Sequence, residues 1–264
     1  MLFRWAAISN RTYIWNYITS FGSYLQPFPN WYVLGPNIQY FAQHGVRGIF
    51  EEGSYGTPGG DMQALKAYVI GRMLFDISLN PDDLITQFLD GYFGAAAPFV
   101  RLYMDAYHGA IADTGYYMHE NVPVTAAYVT PIATITSAQA FKDALAATAH
   151  DPVRQGRVHV AKVSVYYVLL LRWDEMKSFA GAHAIPWPVE TEKLAAWNEF
   201  ERMWEKIGIK SEQESGCDIK CFRAKVFNAP HCNGVCTSWG CPACAHCDCS
   251  HYAACGVHHA PQCP

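Results

Sequence analysis

At 264 residues, 51% hydrophobic and 16% charged, the chain suffices for one large domain or two small ones and can bury a core. Its net charge of −4 and its lack of a polybasic run give no support to a nucleic-acid partner. No apolar stretch approaches the roughly 20 residues of a membrane span, and Met1 to Trp5 lacks the apolar region of a signal peptide, so the start reads like the interior of a longer protein.

In chain order, residues 13–18 predict an aromatic strand (Tyr13-Ile14-Trp15-Asn16-Tyr17-Ile18), followed by the loop Gln26-Pro27-Phe28-Pro29-Asn30. A helix is expected from Leu34 to His44, stopped by Gly45. A second strand, Val46 to Phe50, then delivers Glu51, Glu52 and Gly53 to the Gly-rich stretch 53–60. Asp61 is placed to cap a helix from Met62 to Phe75, and Asn80-Pro81-Asp82-Asp83 combines a cap, a proline at the first position and two acids at the positive end of the dipole. Pro98 opens a helix running to Tyr107, short strands are expected around Ala126 to Val129, and Ser137 begins a helix to about Ala149. Asp151-Pro152 starts another. Arg157 to Leu171 is read as helix for its length and cap, despite the β-branched Val158, Val160, Val163 and Val165. Glu190 to Ile207 is amphipathic, with Leu194, Trp197, Glu201 and Trp204 at helical spacing; this stripe reads as core. The polar run 209–216 is read as a linker.

Strand, helix, strand, with acids at the strand end, is how an α/β barrel displays a site. Only two or three strand candidates are present, whereas a complete barrel needs eight. The expected fold is therefore α/β and helix-rich, with a partial (β/α) TIM-barrel-like unit over 1–60, an α-helical region over 61–208 and an irregular Cys-rich tail over 209–264. The rest of the barrel would come from a missing N-terminal half or from a partner chain.

The stretches Trp5-Ala6, Trp15-Asn16-Tyr17, Pro27-Phe28-Pro29-Asn30, Val33-Leu34-Gly35-Pro36-Asn37-Ile38 and Phe50-Glu51-Glu52-Gly53 resemble the DUF4838 domain family. The likeness continues more loosely through Tyr92-Phe93-Gly94-Ala95-Ala96-Ala97-Pro98 and Arg157-Val158. This resemblance implies the C-terminal half of a TIM-barrel-like, glycoside-hydrolase-related region followed by helices, and a site outside the cytoplasm. It also implies a glutamate at Glu51, whereas many relatives carry Asp where this chain has Asn16.

Glycoside hydrolysis uses two carboxyl groups flanking the scissile bond. Glu51 and Glu52 are the candidate catalytic residues, but neighbours on a strand point to opposite faces, so one substrate cannot meet both unless the strand ends between them. Asn16 binds hydroxyls but cannot act as base or nucleophile. Trp15, Tyr17, Trp31 and Tyr55 are candidate platforms for sugar faces, and Asn16, Gln26 and Asn37 are candidate amide partners for sugar hydroxyls; ordinary core packing is the competing reading of any single ring. No Gly-x-Ser-x-Gly elbow, Walker loop or His-Glu-x-x-His motif occurs, and nothing in the body requires a cofactor.

All ten cysteines lie between Cys217 and Cys263. Their density suits a disulfide scaffold in an oxidising compartment, and thus an extracellular or secretory location. Cys241, Cys244, Cys247 and Cys249 also have zinc-ligand spacing, and a non-native translated tail is a third reading. Three functions follow: a glycosidase-like enzyme acting on a poly- or oligosaccharide, a non-catalytic carbohydrate-binding remnant of one, or a Cys-rich metal-binding or scaffold protein.

Overall fold

A computed structural model describes residues 2–228; the candidate zinc ligands Cys241, Cys244, Cys247 and Cys249 lie outside the described residues. The protein is helix-rich α/β. A short helix α1 (Leu2–Ala6) precedes strand β1 (Thr12–Tyr17), helix α2 (Leu34–Gln43) and strand β2 (Val46–Glu52). The two strands pair in parallel, as a helical crossover requires, with Trp15 opposite Phe50, Asn16 opposite Glu51 and Tyr17 opposite Glu52. Gly45, at φ +79°, ends α2 in the left-handed conformation that favours glycine.

The helical body follows: α3 (Gln63–Phe75), α4 (Pro81–Phe93), a 3-10 turn (Gly94–Ala96), α5 (Ala97–Thr114), α6 (Pro131–Ala147), α7 (Pro152–Leu171), α8 (Trp173–Ala182), α9 (Lys193–Ile207) and α10 (Ile219–Phe227). Asn80 caps α4, its side chain accepting from the backbone N–H groups of Asp82 and Asp83, and Asp151 caps α7 through the Arg154 N–H. Burial explains why the valines of α7 are helical: Val158, Val163, Val165 and Val168 are all fully buried, so tertiary packing overrides β propensity. The core runs from Leu34 and Ile38 of α2 through Tyr103 and Tyr107 of α5 to Phe141, Leu170, Trp197 and Phe222.

Several expectations are corrected. Asp61 does not cap α3; Met62 occupies that position at φ 46° with no side-chain cap. The Asp61 carboxylate is buried instead, accepting from the Phe28 N–H (2.9 Å) and the Tyr103 hydroxyl (2.5 Å), with the Lys66 ammonium 3.7 Å away. Residues 126–129 form turns closed by Ala126 N–H to Pro123 and Val129 N–H to Ala126, and Tyr128 is buried against Tyr107 and Tyr116, its hydroxyl donating to the Pro27 carbonyl. α5 runs on to Thr114, and α6 begins at Pro131 under a Thr130 cap, six residues before Ser137. The polar run 209–216 is no linker. Ile209 and Glu212 are buried, Glu212 accepts a backbone bond from Tyr24 and Glu214 donates one to Phe21. α10 then packs Phe222 against Tyr167, Trp197, Phe200 and Trp204, so residues 209–228 belong to the helical body.

Candidate functional site

Side chains alternate along each strand, and the two faces of the β1–β2 sheet differ in kind. Ile14, Asn16, Ile49 and Glu51 share the less exposed face, where Ile49 packs on the core. Tyr13, Trp15, Tyr17 and Phe50 share the other and are 70%, 66%, 45% and 55% exposed. Gly48 lets this surface form: a Cβ there would fall 2.6 Å from the Tyr13 ring, which lies across the strand. Trp15 and Phe50 meet edge to face at 4.8 Å.

The two glutamates divide between these faces. Glu51 accepts from the Asn16 amide at 2.8 Å on the half-buried face, and burial raises its carboxyl pKa, an effect the Asn16 hydrogen bond opposes. Glu52 lies with the exposed rings and accepts from the Trp15 indole N–H at 2.7 Å. The two glutamates therefore meet different surroundings, Glu51 the half-buried face and Glu52 the exposed rings. The cause is strand parity: Glu51 is in register with Asn16, and Glu52 with Tyr17.

A line of edge-to-face rings leads from the strand end to the Gly-rich loop: Tyr17 on Phe21 at 5.3 Å, Phe21 on Tyr24 at 6.0 Å and Tyr24 on Tyr55 at 6.5 Å. Tyr55 is exposed and donates its hydroxyl to Glu214 at 2.6 Å. Burial, then Tyr55, Glu214 and Glu52, push the Tyr24 phenol up to about 12. The hydrogen bond to Glu214, with smaller contributions that include the Glu52 charge, raises Tyr55 as well. Glu52 and Glu214 thus both act on the same two phenols. The Tyr24 hydroxyl is buried and has no hydrogen-bond partner among the described residues.

The remaining candidates sit elsewhere. Trp31 is 1% exposed and packs on Tyr103, so it is a core ring and not a platform. Gln26 is also buried, its amide donating to the Pro123 carbonyl and the Tyr128 hydroxyl. Asn37 is half-buried in the first turn of α2. Structure thus brings together Trp15, Tyr17, Glu52 and Tyr55, sets Asn16 and Glu51 behind them, and leaves Gln26 and Trp31 in the interior. It adds Glu214, which the polar composition of 209–216 had concealed. Among the described residues no group of three or more His, Cys, Asp or Glu is arranged to hold a metal ion.

Aromatic β1, the Pro27–Asn30 loop and the Glu51–Glu52 strand end coincide with a recognised family. Residues 1–105 match the DUF4838 family, a domain of unknown function. The DUF4838 stretch runs from α1 into α5 and contains the whole aromatic face, Glu52 and Tyr55. Glu214 is contributed from outside it. No curated protein and no solved structure shows a significant match to the chain.

Proposed function

We propose that the chain binds a carbohydrate on the open aromatic face of its sheet, in the manner of a glycoside-hydrolase-like protein. The observation that carries this reading is the exposed row Tyr13, Trp15, Tyr17 and Phe50 with Glu52 fixed beside it by the Trp15 indole. A pyranose presents C–H groups that pack on flat rings and edge hydroxyls that donate to a carboxylate. Glu52 has lone pairs left after accepting from Trp15, so it serves as that acceptor. The parallel β1–α2–β2 unit with its polar strand end is read as a piece of a TIM-barrel-like region. The disulfide between Cys217 and Cys221 supports an extracellular or secretory setting.

Affinity of the purified chain for a panel of soluble polysaccharides tests the proposal. The wild type should bind at least one of them saturably, and Trp15→Ala should weaken that binding by about fivefold or more, since an aromatic contact is worth about 1 kcal/mol or more. Unchanged affinity in Trp15→Ala would sink the assignment of this face.

A second reading, hydrolysis, is favoured by one observation: Glu214 brings a second carboxylate to Tyr55, whose phenol also feels the Glu52 charge. Under that reading Glu52 and Glu214 divide the acid and base roles. Glu52→Gln and Glu214→Gln should then each abolish release of reducing ends while largely sparing binding, because an amide keeps the shape but cannot ionise. Binding without turnover in the wild type would leave the carbohydrate-binding reading alone.

A further inference from the structure

Behind the Gly-rich loop lies a second concavity that shares no residue with the aromatic face. α3, α4, α7 and α9 surround a cavity of about 950 Å³, bounded at one end by Pro58, Gly59 and Gly60. This is near the upper end of the roughly 300–1,000 Å³ usual for small-molecule sites. Its walls are apolar, built from Met62, Leu65, Phe88, Phe93, Val160 and Met203.

The charged groups around this apolar space do not balance. Arg157 is held in place, its guanidinium 4.2 Å above the Tyr92 ring centre and donating to the Tyr92 carbonyl at 2.8 Å. Arg202 and Lys206 are exposed and lie one turn apart on α9, so both reach the same side of the cavity. None of these three cations makes an ion pair among the described residues. Of the two lining carboxylates, Glu199 is already paired with Lys162 and accepts from the Tyr166 hydroxyl, which leaves Glu190 against three cations. His159 also lines the cavity, and its Nδ1 is buried with no hydrogen-bond partner among the described residues.

From these features we infer that the cavity binds a small amphipathic anion, with its apolar chain between α3, α4 and α7 and its head group at Arg157, Arg202 and Lys206. An uncharged apolar ligand would leave the cations without a role, and a small inorganic anion would leave the apolar walls wet. Carboxylate and phosphate heads share the required chemistry, and Arg fits either in a bidentate manner.

Calorimetric titration of the full chain with decanoate, decyl phosphate, decyltrimethylammonium and acetate tests this. Decanoate or decyl phosphate should bind saturably at one per chain, and the tighter of the two identifies the head group. The cationic amphiphile should bind about tenfold more weakly or worse, and acetate should not bind measurably. Reversing the exposed charges (Arg202→Glu with Lys206→Glu) should weaken the anion about tenfold or more. Ala67→Trp, at an exposed lining position of α3, should block the cavity, with thermal melting used to check that it folds. The proposal is overturned by absent saturable binding of both anions, by equal affinity for the cation, by indifference to charge reversal, or by full binding in a folded Ala67→Trp. Each result is separable from the carbohydrate reading, because Trp15→Ala leaves this cavity intact.

Discussion

Asn16 and Glu51 show how an amide suits its place better than an acid would. Glu51 sits on the half-buried face, where desolvation raises its pKa, and the Asn16 N–H is its partner at 2.8 Å. Asn16→Asp would oppose two carboxylates across that distance, and one would have to hold a proton. The folded-state pKa of the pair then rises above the unfolded value. Stability in the variant is retained in acid and lost as pH climbs through the raised pKa. We expect a loss of about 1–2 kcal/mol at pH 8, read as a lower melting temperature, that shrinks markedly near pH 4. Glu51→Gln should be neutral or mildly stabilising at pH 8, since the amide oxygen still accepts from Asn16 and no charge needs hydration. If Asn16→Asp melts at the wild-type temperature at pH 8, the two side chains are not held together as described. Adjacent glutamates at a strand end cannot be sorted by sequence, because either parity places one acid outward. Sorting them takes the knowledge that the helices cover the Ile14–Asn16 side.

At the scale of elements, the loop between β1 and α2 depends on one ion pair. Lys66, on α3, donates to the carbonyls of Ile18 and Phe28 at 3.1 Å each, while Asp61 accepts from the Phe28 N–H. These bonds fix the Pro27–Asn30 turn onto α3 and so set where β1 ends relative to Tyr55. Burial lowers the Lys66 pKa from 10.5 to about 8, with Asp61 opposing the shift. Between those values the folded state has released a proton that the unfolded chain still holds. The proton-linked part of the Lys66 contribution is therefore complete above 10.5 and lost as pH falls through about 8, where pairing of the charged ammonium with Asp61 remains. Lys66→Met should cost about 3–5 kcal/mol near pH 7, because Asp61 is left buried and unpaired. The difference in stability between wild type and variant should widen from pH 8 to 10. Comparing the two cancels the alkaline loss expected from buried tyrosines such as Tyr107, whose phenol burial pushes well up. A difference that stays flat over that range, followed by urea unfolding, would contradict a neutralising Lys66. Caps were the most legible elements: Asn80, Asp151 and Gly45 each perform locally what their residue types suggest. Asp61 misled because its carboxylate was drawn to partners distant in sequence, a competition that no local pattern reveals.

For the whole molecule, the sharpest departure from the sequence is where the body ends. Residues 209–216 are polar and precede the cysteines, so composition marks them as a boundary. In space they return to the strand-end loops: Lys210 N–H reaches the Thr57 hydroxyl, Glu212 takes the Tyr24 N–H, and Glu214 meets both Phe21 and Tyr55. α10 follows, and Phe222, fully buried, stacks within 5.0 Å of Tyr167 and 5.2 Å of Phe200. Losing one such ring from a core costs about 3–5 kcal/mol, and cutting at 208 also uncovers its partners and removes the hydrogen bonds to the loops. A chain ending at 208 should therefore melt at least about 10 °C below one ending at 228, or unfold without cooperativity, given roughly 2–4 °C per kcal/mol for this size. The shorter chain should also lose saccharide affinity, because Tyr55 loses Glu214 and the Phe21–Tyr24 backbone loses its anchors. Matching melting temperatures for the two chains would show that 209–228 is dispensable and would return the boundary to where composition puts it. A stable 1–208 chain with weakened saccharide binding would instead separate the two roles of this segment, support for the fold and completion of the site.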